Sequence, residues 1–357
     1  MLLYMFLVGI ALLELGIVGL GPDIQAEMFR SVTHPLAGLF VGILATVLAQ
    51  SSSVTTATIV GLVGSGLLSV EDAVPIIMGA NIGTTVTNTL VSLGHLRRPQ
   101  EFRAAFGAAT VHDHFNVLSV AILLPLELTT GLLSRTAAFL GTLLLGSSGG
   151  TTFRSPVKAA VAAPAEVVQS LWEGAGATGT AQGLLLLASG LALIFLGLTY
   201  ITRNMRSLVA NRIERTVNDV LGRGGGAAAI LAGVVITLAV QSSSITTSML
   251  IPLAASGVLT LRNTYPVTLG ANVGTTITAL LASLATERPE ALTIALLHTI
   301  FNLAGILLFY PLPAARRVPL RMAEVGADLA SRHRHLVVPY VLGLFIALPL
   351  AGVLLLR

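Results

Sequence analysis

Two polar segments of seven residues each occur twice in this chain, at one fixed separation. Gln-Ser-Ser-Ser-Val-Thr-Thr at 50–56 recurs as Gln-Ser-Ser-Ser-Ile-Thr-Thr at 241–247, and Gly-Ala-Asn-Ile-Gly-Thr-Thr at 79–85 recurs as Gly-Ala-Asn-Val-Gly-Thr-Thr at 270–276. Both pairs are 191 positions apart, and the 42 aligned positions around them contain 19 identities without a gap. The chain is therefore a duplication of one unit, and both copies are expected to fold alike.

The composition shows what kind of unit is duplicated. Of the 357 residues, 54% are hydrophobic and 10% are charged, whereas a soluble protein carries about 25% charged residues. Apolar stretches at 2–20, 184–201 and 337–356 approach the roughly 20 residues that a membrane helix needs. The first stretch lacks the basic start and the cleavage site of a signal peptide, so we expect it to remain as a membrane helix.

Charge and cysteine content exclude some other classes. The basic residues behind the net charge of +4 flank the apolar stretches, as membrane topology requires, so a lipid bilayer is the expected partner and nucleic acid is not. The chain has no cysteine, which excludes disulfides and thiolate metal sites.

A duplicated membrane unit is typical of secondary transporters. We therefore predict an all-α polytopic membrane protein with two inverted repeats. Its predicted parts are a first repeat at 1–125, an interfacial helix and external linker at 126–181, a second inverted repeat at 182–310, and an interfacial amphipathic helix with a C-terminal transmembrane helix at 311–357. The linker is rich in Gly, Ser, Ala and Pro over 146–181 and is expected to be irregular there.

Each unit contains two membrane segments that are expected to be interrupted. From Pro35 an apolar run of about 14 residues, roughly 21 Å as a helix, is too short to cross the hydrocarbon core. The polar residues from Gln50 follow, and then a second short apolar run, which together predict a re-entrant hairpin with a polar tip. The next apolar run is interrupted at 80–85, which predicts a broken transmembrane helix that lies within protein or lines an aqueous cavity.

The residue types at these interruptions indicate which ligands they suit. A broken helix exposes N–H groups that attract anions and carbonyl groups that coordinate cations. Neither repeated segment contains a carboxylate. Carbonyl and hydroxyl oxygens suit a hard monovalent cation such as sodium, and N–H and O–H donors suit an oxyanion. The pattern favours cation–anion symport over divalent-metal transport, and we expect no cofactor and no metal other than sodium as co-substrate.

The paired segments resemble those of the type II sodium/phosphate cotransporter family and its bacterial relatives. Glu-Phe-Arg-Ala-Ala-Phe at 101–106, Val-His and Phe-Asn within 111–116, and Leu-Leu-Pro-Leu-Glu at 123–127 are also similar to that family, so the resemblance covers about 1–310. It implies a sodium-coupled carrier of inorganic phosphate, monomeric or homodimeric, with two hairpins and inverted repeats. Some animal members carry an acidic residue near the broken helix, and 79–85 contains none.

Fourteen residues of the two copies are the predicted binding positions. Our hypothesis is that serine hydroxyls and freed N–H groups bind phosphate while amide and carbonyl oxygens organise sodium. The phosphate positions are Ser51, Ser52, Ser53, Thr84, Ser242, Ser243, Ser244 and Thr275, and the sodium positions are Gln50, Thr55, Asn81, Gln241, Thr246 and Asn272. In an inverted repeat the two hairpin tips should meet near the middle of the membrane, although 191 positions separate them.

Other polar residues within apolar segments have weaker claims. Glu14 lies in the first helix, where a carboxylate is a functional hypothesis, but its repeat mate is Phe195. In His112-Asp113-His114 only His112 has a mate, His298, so structural hydrogen bonding is the favoured interpretation over a metal site.

Alternative functions remain open at this point. The same architecture can carry another small oxyanion or a carboxylate, since fold does not determine substrate. A membrane enzyme is disfavoured, because the serines have no His or Asp partner beside them in sequence.

The distribution of basic residues predicts orientation. With three crossings in each repeat, 14 of the 20 Lys and Arg residues fall on one side of the membrane. The positive-inside rule makes that side cytoplasmic. We therefore expect a cytoplasmic N-terminus, an external linker and an external C-terminus, in a bacterial inner membrane.

Overall fold

The computed structural model describes residues 1–20, 34–145, 156–223 and 225–356, and it contains no strand among them. In chain order the helices are α1 (Leu2–Gly19), α2 (Pro35–Ala49), α3 (Ser52–Ser65), α4 (Val70–Gly83), α5 (Val86–Ser92), α6 (Pro99–Thr130), α7 (Leu132–Leu145), α8 (Pro156–Gly174), α9 (Gly179–Arg223), α10 (Gly225–Val240), α11 (Ser243–Ala255), α12 (Leu261–Ser283), α13 (Pro289–Phe309), α14 (Pro313–Arg332), α15 (Val337–Leu342) and α16 (Leu348–Leu355). A π-helical turn, Gly343–Ala347, joins the last two.

Six of these segments are long and apolar enough to cross a membrane, which confirms the all-α polytopic membrane class. They are Leu2–Gly19, Val70–His95, Pro99–Thr130, Gly179–Ile201, Pro289–Phe309 and Arg334–Leu355. The predicted crossing at α12 is not among them. Its 23 residues would extend about 35 Å, so its length suffices, but the polar residues at 270–276 lower its hydropathy.

The two predicted hairpins are present as pairs of short apolar helices. The first hairpin consists of α2 and α3, with 15 and 14 residues, and the second consists of α10 and α11, with 16 and 13 residues. Two residues, Gln50–Ser51 or Gln241–Ser242, separate the arms at each tip. None of the four arms is long enough to cross a 30 Å hydrocarbon core.

The predicted broken helices differ from expectation. In the first copy the chain leaves α4 at Thr84 and enters α5 at Val86, but Thr84 and Thr85 keep right-handed helical angles. In the second copy α12 runs without interruption through 270–276. The predicted interruption is therefore confined to two residues, Thr84 and Thr85, in the first copy, and the prediction is wrong for the second copy. Gly, Asn and Thr weaken a helix, yet inside the molecule α4 and α12 are packed on all sides, and continued backbone hydrogen bonding is the cheapest way to satisfy buried N–H and C=O groups.

Glycines explain how closely the hairpins approach the helices that follow them. A Cβ on Gly42 would collide with the backbone of Ile76, and in the second copy a Cβ on Gly233 would collide with the backbone of Val267. These two glycines are 191 positions apart, so the duplication in the sequence is also a duplication of packing. Gly9 of α1 likewise lies against the backbone of Gly190 in α9.

The linker contains more regular structure than predicted. Of the stretch 146–181, residues 156–174 form helix α8, and 146–155 lie outside the described residues. The apolar face of α8 packs on α1 through Val161 and Ala165, which join a cluster with Val8 and Leu12. This packing explains why a Gly- and Ala-rich sequence is helical here, because Ala favours a helix and the buried face stabilises it.

Candidate substrate site

Both hairpin tips are built around a glutamine in an uncommon backbone conformation. Gln50 has φ 51° and Gln241 has φ 56°, and they are the only non-glycine residues with positive φ among those described. Each side-chain amide donates to a carbonyl of its own helix, Val47 at 2.6 Å and Leu238 at 2.7 Å. The left-handed conformation costs roughly 1–2 kcal/mol for a residue with a Cβ, and such strain is typical of functional sites.

The rest of each glutamine side chain is also engaged. The Oε1 atom of Gln50 accepts from Thr87 at 3.4 Å, and that of Gln241 accepts from Thr278 at 3.0 Å. The glutamine side chains therefore shape the tips through bonds within the protein. The sequence-based expectation placed the sodium-binding function on these residues without distinguishing side chain from carbonyl.

The serine after each glutamine caps the second arm of its hairpin. Ser51 Oγ accepts from the N–H of Val54 and Ser242 Oγ accepts from the N–H of Ile245, both at 3.3 Å. A hydroxyl that accepts one hydrogen bond still has its own proton to donate. Each tip thus presents a helix N-terminus with a free hydroxyl proton beside it.

The two tips lie in contact with each other, as the repeat predicts. Ser53 Oγ donates to the backbone carbonyl of Gln241 at 3.5 Å, at the long limit for a hydrogen bond. Ser52, Ser53 and Ser243 are buried, while Ser51, Ser242 and Ser244 are half-buried. This bond brings the first tip, at Ser53, against the second tip, at Gln241.

The four predicted threonines have their hydroxyl protons occupied. Thr84 and Thr275 donate to the carbonyls of Ala80 and Ala271, at 2.8 and 3.1 Å. Thr55 and Thr246 donate to the carbonyls of Ser51 and Ser242, both at 3.2 Å. In this arrangement these oxygens offer lone pairs, which suit a cation, and offer no proton to an anion.

The two predicted asparagines are not equivalent. Asn272 is engaged at both ends, since its Oδ1 lies 2.5 Å from His112 Nε2 and its Nδ2 donates to Asn116 Oδ1 at 2.7 Å. Asn81 Nδ2 donates to the carbonyl of Ile77 at 3.1 Å, within its own helix. The carbonyl of Asn81 in turn accepts from Asn116 Nδ2 at 2.7 Å. The Asn272 side chain therefore joins the two repeats through α6.

A carboxylate that sequence reasoning treated as structural lies within this buried region. Asp113 is 1% exposed, and its Oδ2 accepts from Tyr340 at 2.7 Å and from Thr89 at 3.3 Å. Its Oδ1 has no hydrogen-bond partner. The signal was an acidic residue in an apolar membrane helix, which is a functional hypothesis by default. The sequence favoured a structural interpretation because, of His112-Asp113-His114, only His112 has a mate in the second repeat.

The neighbours of Asp113 have other roles. His112 belongs to the asparagine network, and His114 Nδ1 lies 2.6 Å from the carbonyl of Thr110. Within the described residues no group of three His, Cys, Asp or Glu side chains is placed to hold a metal ion. Glu14 is half-buried on α1.

Known proteins are similar in sequence to this chain over most of its length. A sequence model of the Na+/Pi-cotransporter family matches residues 5–149 and 193–326. Sodium-dependent phosphate transport protein 2A of Ovis aries is 36% identical over 97% of this chain and 65% of its own length. Sodium-dependent phosphate transport protein 2B of Homo sapiens is 32% identical over 98% of this chain and 63% of its own length. A comparison with solved structures finds no match.

The chain spans less than two thirds of the length of these curated relatives. Both halves of the family match contain one copy of each polar heptad, together with the hairpin built around it. The chain therefore belongs to the Na+/Pi-cotransporter family.

Proposed function

We propose that this protein is a sodium-coupled symporter of inorganic phosphate, with its binding site between the two hairpin tips. The observation that carries the proposal is the contact of Ser53 with the carbonyl of Gln241, which places two serine-rich helix N-termini side by side within the protein. The names of the relatives, sodium-dependent phosphate transport proteins, support phosphate and sodium as the ligands.

Phosphate binding follows from the donors at the tips. Helices α3 and α11 begin there, and the unpaired N–H groups and positive dipole end of a helix attract an anion. Ser51 and Ser242 contribute hydroxyl protons, because their oxygens already accept the capping bonds. The 3.5 Å bond of Ser53 to Gln241 is weak enough to be exchanged for a phosphate oxygen.

Sodium binding follows from oxygens that have no proton to offer. Asp113 Oδ1 is a buried carboxylate oxygen without a partner, and an isolated buried charge is costly unless a counter-ion neutralises it. The threonine hydroxyls of both copies and the tip carbonyls of Gln50 and Gln241 provide further oxygen ligands. We therefore assign Thr84 and Thr275, first expected to bind phosphate, to the cation side of the site.

Coupling results from having both ions in one low-dielectric region. Sodium offsets the charge of phosphate and of Asp113, so each ion should raise the affinity of the other by the same factor. The polar network through Asn116 and Asn272 joins the repeats beside the site. It can therefore carry rearrangements from one repeat to the other.

Orientation and location are part of the proposal. Under the topology expected from the sequence, 14 of the 20 Lys and Arg residues fall on the side that carries the N-terminus, and the positive-inside rule makes that side cytoplasmic. We infer a cytoplasmic N-terminus in a bacterial inner membrane, with the second arm of each hairpin starting at mid-membrane.

The test is radiolabelled phosphate flux into proteoliposomes that contain the full chain. An inward sodium gradient should drive accumulation, and potassium in place of sodium should not. Excess unlabelled sulfate, arsenate and dicarboxylates then report specificity. Uptake that is indifferent to sodium contradicts the coupling, and complete competition by a dicarboxylate with none by phosphate points to the carboxylate alternative.

A further inference from the structure

The two hairpins carry almost the same sequence but are not held equally. We propose that Asn88 is a positioning residue that pins the second hairpin, α10 and α11, to the first repeat. The first hairpin, α2 and α3, lacks an equivalent pin and is the one that moves when the site opens. The role in opening rests on the proposed function, whereas the unequal hold on the two hairpins does not.

The pin is a pair of hydrogen bonds between the repeats. Asn88 Oδ1 accepts from Ser248 Oγ at 3.1 Å and lies 2.8 Å from Thr247 Oγ1, whose one proton is shared with the carbonyl of Ser243, also at 2.8 Å. Both donors lie on the first turns of α11, directly behind the tip of the second hairpin. Asn88 and Thr247 are 1% and 3% exposed, so their contact is shielded from water, while Ser248 is half-buried.

The orientation of the Asn88 amide is itself determined by the network. Its Nδ2 lies 3.2 Å from His112 Nδ1, and His112 Nε2 lies 2.5 Å from Asn272 Oδ1. With Nδ2 donating to the imidazole, Oδ1 must face the hairpin. The pin is therefore continuous with the bonds that join α6 to α12.

The first hairpin cannot form the mirror-image pin. At the offset of 191, the positions that correspond to Asn88, Thr247 and Ser248 are Ala279, Thr56 and Ala57. The Ala279 side chain is buried and has no hydrogen-bonding group, and Thr56 donates only to the carbonyl of Ser53 at 3.4 Å. The difference is encoded in the sequence, so a change of rotamer cannot remove it.

Hydrogen bonds between the two arms of a hairpin also favour the second hairpin. In the second hairpin Thr237 donates to Thr246 at 2.9 Å and so ties the two arms together. At the corresponding positions of the first hairpin, Thr46 Oγ1 is buried without a partner and Thr55 bonds to the carbonyl of Ser51.

At the tips, too, the second hairpin has the shorter hydrogen bond. Gln241 is half-buried and accepts from Thr278 at 3.0 Å, whereas Gln50 is exposed and accepts from Thr87 at 3.4 Å. In all three comparisons of side-chain hydrogen bonds the first hairpin has fewer or longer bonds, although residues 52–56 are all buried and 241–247 only in part. Segments with fewer buried hydrogen bonds open locally at lower free energy.

Hydrogen exchange of the full chain in nanodiscs, read by mass spectrometry, tests this directly. The heptads at 50–56 and 241–247 differ only by Val54 in place of Ile245, so their amides exchange at nearly the same intrinsic rate. We expect slower exchange at 241–247 than at 50–56. Equal exchange, or slower exchange at 50–56, would overturn the proposal.

Two pairs of variants locate the cause. Asn88→Ala should lower protection at 241–247 by about tenfold to a hundredfold, the range expected for the loss of two hydrogen bonds. Ser92→Ala removes a hydroxyl one turn further along α5, which bonds only to the carbonyl of Thr89 at 2.6 Å, and should leave 241–247 unchanged.

The second pair is isosteric and therefore safer for folding. Thr247→Val removes one donor of the pin and should lower protection at 241–247 by about threefold to tenfold. Thr56→Val, at the matching position of the first hairpin, should change 50–56 by less than that. If Asn88→Ala and Thr247→Val both leave 241–247 fully protected, Asn88 does not hold the hairpin. These measurements do not depend on phosphate flux, so a failure of the transport assay leaves them interpretable.

Discussion

Neutralising Asp113 should keep or raise the stability of the sodium-free protein and should reduce the additional stability that sodium provides. In Asp113→Asn the oxygen that accepts from Tyr340 and Thr89 can be kept, while the charge on the unpartnered Oδ1 is removed. Removing a buried charge that has no counter-ion removes its desolvation cost. We therefore expect the sodium-free variant to be at least as stable as the wild type.

The variant should differ from the wild type in how much sodium stabilises it. A hydrogen bond or ion contact to a charged group contributes about 1.5–3 kcal/mol, so sodium affinity should fall by roughly 10- to 150-fold. Sodium at 100 times its Kd stabilises the native state by about 2.7 kcal/mol. At the same sodium concentration the variant should keep about 0.3–1.4 kcal/mol of that stabilisation.

The assay is thermal unfolding of the detergent-solubilised chain in sodium chloride and in potassium chloride. Glu127→Gln is the matched control, because Glu127 is also a buried carboxylate on α6 but accepts from the N–H groups of Leu133 and Ser134 at 2.6 and 3.2 Å. Its loss should lower the Tm in both salts and preserve the difference between them. A wild-type sodium shift in Asp113→Asn, or a lower Tm than the wild type in potassium, would refute the assignment of Asp113 as a sodium ligand.

Four further predictions follow from the same geometry. Ser242→Ala removes both a helix cap, which costs about 1 kcal/mol, and a phosphate donor, so phosphate binding by calorimetry should weaken by at least tenfold; unchanged affinity would remove Ser242 from the site. Phosphate affinity titrated at several sodium concentrations should rise with sodium, and sodium affinity should rise with phosphate by the same factor; independent binding contradicts a shared site. Gly42→Ala would place a Cβ against the backbone of Ile76, so folded yield on size-exclusion chromatography should fall sharply, whereas Gly94→Ala, with no atom within 4 Å of its Cβ, should not change it. A reporter fused after the C-terminal helix should read external, and a cytoplasmic signal would contradict the predicted orientation.

The hairpins were predictable because the evidence for them is local. Apolar runs of about 14 residues around Gln-Ser-Ser-Ser cannot cross a bilayer and cannot leave their backbone unpaired, so a re-entrant pair of short helices is the remaining solution. The membrane class followed in the same way from the scarcity of charge.

The broken helix of the second copy was predicted wrongly. A polar stretch between two apolar runs indicated a break at 80–85 and at its repeat, and glycine and asparagine weaken an isolated helix. Tight packing on the hairpins changes the balance, since the glycines there are sites of close approach of helix backbones, as at Gly42 and Gly233. Propensity is a weak guide where every face of a helix is buried.

By itself the sequence determined the membrane class, the duplication, the two hairpins and the set of small polar residues at their tips. All of these depend on composition and on spacing along the chain. Tertiary structure alone decided which of those polar groups are free. Asp113 meets Tyr340 across 227 positions, Asn272 is engaged by His112 across 160, and Asn88 accepts from Thr247 across 159. A hydroxyl or amide can donate or accept equally well in many surroundings, so only its neighbours in space determine whether it binds an ion, positions a neighbour or satisfies its own helix.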